Sequence, residues 1–215
     1  MAPLRLRSLS LGLLFLTCVS AGAAASPRVY PPNCTIPSFV RVVGTSNGVP
    51  DRAAGEFLIV IRDIVNTPTS GALVVIDLSG TPDVVLCSDQ LDANEVMNCA
   101  THTVAKSTDA LGEARFTLLG SSTGTNDVPS PGWPARIYAN GVLVRDLSVS
   151  AFDLDGSQGV GGGDLSVWLT DFGSGAPHPR SDYDGSGDVS AGDLSEWLTE
   201  FGASASSESC HAACP

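Results

Sequence analysis

An internal repeat constrains this chain more than any other feature. DLDGSQGVGGGDLSVWLTDFG, beginning at Asp153, returns as DYDGSGDVSAGDLSEWLTEFG, beginning at Asp182, so that Asp164 corresponds to Asp193, Trp168 to Trp197 and Phe172 to Phe201. Each copy places carboxylates at loop positions 1, 3 and 12, a serine at 5 and a valine at 8 (Val160, Val189). That spacing lets a tight turn wrap a hard cation in oxygens from alternate residues. The candidate ligands are Asp153, Asp155, Ser157, the Gly159 carbonyl and Asp164 in the first copy. In the second they are Asp182, Asp184, Ser186, the Asp188 carbonyl, Ser190 through a water, and Asp193. Calcium is the expected ion, because the loops offer oxygens and nothing suited to a softer metal.

The two copies are not equal. Loop position 6 normally demands glycine for a positive φ; Gly187 meets that demand and Gln158 does not. Two calcium sites are therefore expected, the second the stronger, both weakened by serine at position 5 where an acid is usual. After each loop, Leu165, Trp168, Leu169 and Phe172, and again Leu194, Trp197, Leu198 and Phe201, fall at i, i+3, i+4 and i+7, which predicts two short amphipathic helices. Gly173 and Gly202 sit where left-handed caps are expected. Helices this short are marginal alone, so the two stripes are expected to pack on each other. The proline-bearing segment SGAPHPRS, from Ser174 to Ser181, reads as an exposed linker between them.

A duplicated loop followed by one helix, with Asp at position 12 and no full helix before the loop, resembles the type I dockerin module. The resemblance runs from Asp153 to Gly202, and it implies docking onto a cohesin domain of an extracellular partner. Positions 10 and 11, which help select the partner in that family, are Gly162 and Gly163 here, and Ala191 and Gly192 in the second copy. Small residues there offer almost no side chain for recognition.

At the other end, Arg5 and Arg7, an apolar run from Leu9 to Val19 and the small residues of AGAAAS predict a signal peptide over 1–25. The run is too short for a membrane span, so a secreted, extracellular or cell-surface protein is expected. Losing Arg5 and Arg7 would shift the formal charge from −12 to −14, with Arg180 the only base between Asp153 and Glu208. Acidity concentrated at the loops argues against nucleic acid or anionic membranes as partners.

In an oxidising compartment the remaining cysteines, Cys34, Cys87, Cys99, Cys210 and Cys214, are disulfide candidates. Cys87 with Cys99 is the first choice because it closes a short loop within one domain. Cys210 with Cys214, Cys34 with the tail, and a bridge between molecules remain open for the others.

From Ser38 to Ser150, SFVRVVG, GEFLIVIRDI, GALVVIDLSG, THTVAKS, EARFTLLG, ARIYA and VLVRDLSVS read as strands separated by turn clusters, with Asn140-Gly141 a tight hairpin signal. Seven strands without helical periodicity predict an antiparallel sandwich. VIRDIVNTPTSGALVVIDLSG and STDALGEARFTLLG resemble motifs of bacterial immunoglobulin-like domains of the invasin/intimin type, which implies a stalk, spacer or adhesion role, with Asp109 and Gly112 shaping a turn and Phe116 in the core.

The expected architecture is thus a mostly β, immunoglobulin-like sandwich over 26–150, a small α-helical, dockerin-like loop–helix pair over 151–203, and a cysteine-bearing tail over 204–215. No nucleophile elbow, zinc-protease or phosphate-loop motif is present, and the clustered acids are accounted for by calcium, so a non-enzymatic role is expected. The expected partner is a protein, either a cohesin-like domain or a neighbouring subunit of the same kind. Carbohydrate binding finds little support, since Trp133 is the one tryptophan outside the repeats.

Overall fold

A computed structural model describes residues 28–124, 135–203, 210 and 212–214; the expected signal peptide and Trp133 lie outside the described residues. A 3-10 turn at Pro31–Asn33 leads into β1 (Phe39–Val42), β2 (Thr45–Ser46), β3 (Val49–Pro50), the one-turn helix α1 (Arg52–Gly55) and β4 (Glu56–Val60). There follow β5 (Leu73–Asp77), β6 (Val84–Leu86), β7 (Val96–Asn98), β8 (Thr103–Ser107), β9 (Glu113–Thr117) and β10 (Gly120–Ser122). The chain then forms β11 (Ala135–Ala139), β12 (Val142–Ala151), α2 (Gly162–Ser174), a 3-10 turn at Pro179–Ser181 and α3 (Ala191–Ala203). Each of the seven β-branched runs contains a strand. The extra strands, β2, β3, β6, β7 and β10, are two or three residues long, too short for alternation to register.

Six strands form one sheet in the order β1-β12-β11-β5-β8-β7, while β4 pairs with β9 and β6 with β10. The β11–β12 hairpin turns through Asn140 and Gly141 at φ 49° and 78°, the left-handed pair a two-residue turn requires. β1 lies parallel to β12, which departs from the wholly antiparallel arrangement expected. These two strands are joined by the whole intervening domain, so no hairpin fixes their relative direction. Alternation along the sheet directs Val74, Ile76, Val104, Ile137 and Val149 to one face, where they meet Ile59 and Phe116 of the β4–β9 ribbon and Leu86 of β6 in a single core. Each such side chain contributes about 1.5–3 kcal/mol on full burial. At the turn before β9, the Asp109 carboxylate accepts the Leu111 and Glu113 N–H groups at 2.8 and 2.9 Å.

The disulfides correct the sequence expectation. Cys87 bonds Cys210 and Cys99 bonds Cys214, leaving Cys34 as a half-buried free thiol. Residues 212–214 return beside β6: Ser88 N–H donates to the Ala212 carbonyl and Cys214 N–H to the Leu86 carbonyl, each at 2.8 Å. Both tail cysteines are thereby presented together to the segment that carries Cys87 and Cys99.

The helical pair is fastened to the β domain at both ends, by β12 before it and by the bridged tail after it. Trp168 and Trp197, each 1% exposed, enter one cluster with Phe152, Leu154, Tyr183, Val43 and Leu119. Phe152 and Tyr183 stack at 4.8 Å between ring centroids, and the Trp197 indole N–H donates to the Phe152 carbonyl at 3.3 Å. The two stripes therefore divide. Their tryptophans bury against the segment leaving β12, whereas Leu169, Phe172, Leu198 and Phe201 stay about half exposed. The helix ends also differ from expectation: Gly173 and Gly202 lie inside the helices, and Gly175, at φ 66°, closes α2. Ser174 extends that last turn by donating to the Asp171 carbonyl at 2.7 Å. No helix among the described residues is long and apolar enough to cross a membrane.

One buried acid outside the loops makes folding sensitive to pH. The Glu95 side chain is fully buried, 3.7 Å from Lys106, and burial first, then the Asp92 carboxylate, pushes it up to about 7. The raised folded value means that the native state holds this proton more tightly than the unfolded chain. Its stabilising contribution is present below the ordinary value of 4.5 and is lost as pH rises through about 7. Between pH 5 and 7.5 the parent is expected to lose up to about 3 kcal/mol relative to Glu95→Gln. Urea denaturation of both proteins across that range checks it; parallel stability curves would contradict it.

Candidate metal centre

The first loop begins just after β12 and the second at the end of the 3-10 turn Pro179–Ser181, and each finishes in the first turn of a helix. This places positions 1 and 12 side by side. Asp153, Asp155 and Asp164 bring carboxylate oxygens within 4.8 Å of one another, and so do Asp182, Asp184 and Asp193. In the first triad Asp153 and Asp164 are buried and Asp155 half-buried; in the second Asp182 and Asp193 are buried and Asp184 exposed.

Backbone amides shape both cups. Asp153 accepts N–H groups from Gly156, Gln158 and Gly159 at 2.8, 3.0 and 3.1 Å. Asp182 does the same with Ser186 and Gly187, at 3.0 and 2.8 Å. At position 12, Asp164 accepts from Leu154, Asp155 and Gly161 at 2.6, 2.9 and 2.6 Å, and Asp193 from Tyr183, Asp184 and Ser190 at 2.6, 3.1 and 2.8 Å. The last bond of each set caps its helix while aiming the carboxylate at the loop. Gln158 adopts φ 71°, so the first loop makes the same turn as the second and bears the cost of a side chain in the left-handed region, of order 1 kcal/mol.

Carboxylates gathered this way repel one another and lose water. Burial first, aided by Asp153 and Asp155, pushes Asp164 up to about 6, against the pull of its backbone donors. Burial likewise raises Asp182, whereas the Ser186 hydroxyl holds exposed Asp184 below its usual value. The remaining candidates divide. Ser186 Oγ donates to the Asp188 carboxylate at 2.9 Å and Ser190 Oγ to Asp193 at 3.0 Å, so both hydroxyls lie along the second cup. Ser157 is exposed and touches the cup through its backbone N–H, which donates to Asp155 at 2.8 Å; Gly159 is half-buried. All donors on these cups are oxygens, which fits a hard divalent cation.

Beside the cups lies a group that sequence reasoning missed. The segment read as an exposed linker is largely buried at its end: His178, Arg180 and Ser181 are 4%, 4% and 0% exposed. Asp171 receives Arg180 through two bonds of 2.8 Å and the Ser181 hydroxyl at 2.6 Å. His178 Nδ1 stands 3.8 Å from Asp171, and His178 Nε2 lies 2.5 Å from Ser174 Oγ. Ser, His and Asp in this order suggest a nucleophile relay. Here the serine hydroxyl donates to the Asp171 carbonyl and the carboxylate is taken by Arg180, so the group functions as a clasp between α2 and the second loop. A usable signal was present in the sequence: Arg180 is the only base in a long acidic stretch.

Comparison with known proteins finds no matching family model, no matching curated protein and no matching solved structure.

Proposed function

We propose that this chain is a secreted or cell-surface, calcium-binding, non-catalytic protein, in which an immunoglobulin-like β domain is completed and stiffened by a dockerin-like loop–helix pair carrying two calcium ions. The observation that carries this reading is the pair of Asp triads, each with oxygens within 4.8 Å, in loops whose spacing repeats. Calcium supplies the positive charge that crowded carboxylates lack, and its binding energy becomes folding energy for a segment with little core of its own. Two disulfides accord with life in an oxidising compartment. The role that follows is structural or adhesive, as a stalk, spacer or repeating subunit.

Thermal melting in calcium and in chelator tests the reading. At a free concentration about a hundredfold above Kd, each site adds about 2.7 kcal/mol, so the transition is expected to rise by several degrees with calcium. Superimposable melts would remove the calcium reading.

The half-exposed Leu169, Phe172, Leu198 and Phe201 favour a second reading, in which the helix pair docks a cohesin-like partner for an accessory role in polysaccharide breakdown. Pull-down on a panel of cohesin domains tests it, and retention by none of them would count against it.

A further inference from the structure

Strand β1 reaches across to the second loop at two points, and among the described residues no aromatic ring or guanidinium supports the first loop in the same way. The Phe39 ring lies against the backbone of Gly185, at loop position 4, so closely that a Cβ there would collide with it. Two residues along the same edge, Arg41 Nε donates to the Tyr183 carbonyl, at loop position 2, at 2.8 Å. Its guanidinium continues to Glu196 on α3 at 3.4 Å and sits 5.7 Å from the Phe39 ring centroid. Tyr183 is thereby fixed from three directions: its carbonyl by Arg41, its N–H by Asp193 at 2.6 Å, and its hydroxyl by the Ala151 carbonyl at 3.0 Å. The corresponding residue of the first loop is Leu154, whose side chain has no hydrogen-bonding group. That loop meets the β domain through small residues instead, with Gly124 against Asp155 and Gly156 against the Ser122 carbonyl.

We propose that Phe39 and Arg41 are positioning residues of the second metal site, so that β1 of the β domain, and not the loop alone, sets that site's affinity. The inference rests on the calcium reading above. Position 4 is a left-handed glycine at φ 71° and position 2 precedes a ligand, Asp184. Holding both from outside fixes where the Asp182 and Asp184 carboxylates point before any ion arrives. Outer supports of this sort are worth about ten- to a hundredfold in metal affinity. Phe39 and Arg41 are half-buried and alternate with the core residues Val40 and Val42, so replacing them leaves the core face of β1 intact.

Arg41 separates positioning from plain electrostatics. A cation beside a calcium site repels the ion, so removing it should tighten binding if charge alone mattered. If Arg41 acts by holding Tyr183, removing it should weaken binding despite the relieved repulsion.

Calorimetric titration with calcium chloride decides, using the full chain in two backgrounds: Asp164→Asn, which retains the second site, and Asp193→Asn, which retains the first. Phe39→Ala and Arg41→Met are each expected to lower affinity about tenfold in the first background and to leave the second background unchanged, with Phe39→Tyr restoring the parent value. Unchanged or tightened binding in the Asp164→Asn background would overturn the proposal, and so would an equal loss at both sites. A parent protein that takes up no calcium would overturn the calcium reading and this inference together, which distinguishes the two failures.

Discussion

Replacing all four bridging cysteines with alanine is expected to destabilise the protein by about 7–8 kcal/mol, whereas opening either bridge alone costs about 3 kcal/mol. The asymmetry follows from loop lengths. Cys87–Cys210 and Cys99–Cys214 span 123 and 115 residues, so whichever remains still ties the tail to the β6–β7 segment. With one bridge kept, the other closes a ring of only about 16 residues, worth about 3 kcal/mol of chain entropy, while the last bridge removed releases a loop of over a hundred residues, worth about 4.7. Domains are stable by only about 5–15 kcal/mol, so the fourfold variant should lose its helical pair near room temperature while each double variant still folds. Urea denaturation of the three variants measures this. Equal losses for the two double variants that sum to the fourfold loss would contradict the shared-closure account.

Asp171→Ala is expected to cost about 3–5 kcal/mol, because it leaves the Arg180 guanidinium buried without the carboxylate that receives two of its N–H groups. Asp171 itself is 1% exposed and also takes the Ser181 hydroxyl, so the deletion strips three bonds from one buried point. Replacing both partners by apolar residues, as in Asp171→Leu with Arg180→Met, should recover much of the loss, since no charge is then stranded. Equilibrium unfolding of the single and double variants separates these outcomes. A loss below about 1 kcal/mol for Asp171→Ala would show that the clasp is incidental to stability.

The parts of this fold legible in the sequence are those fixed by neighbours along the chain. Runs rich in β-branched residues between turn clusters located β1, β4, β5, β8, β9, β11 and β12, because strand propensity and turn chemistry are both local. Asn140-Gly141 marked its hairpin because both residues accept a left-handed backbone. The loops were legible for the same reason: position 1 and position 12 meet through a turn of local geometry, and the triads Asp153, Asp155, Asp164 and Asp182, Asp184, Asp193 assemble as the spacing predicts.

What stayed hidden depends on residues far apart in the chain. Cys87 has a sequence neighbour in Cys99, yet the tail returns along β6 and takes both thiols. The i, i+3, i+4, i+7 stripes told that each helix has an apolar face, but not that the tryptophans would bury in one cluster with Phe152 and Tyr183. Arg180 and Asp171 lie nine residues apart across a helix end, where neither helical nor strand periodicity relates them. The support of the second loop by Phe39 and Arg41 spans 142 residues between Arg41 and Tyr183, beyond the reach of any local pattern.

Calorimetric titration of the parent chain with calcium shows whether the repeated loops are two unequal calcium sites. Two binding events of different affinity are expected, the tighter one lost in Asp193→Asn and the weaker one lost in Asp164→Asn. Absence of binding heat across temperatures, or two sites surviving in both variants, would contradict that reading.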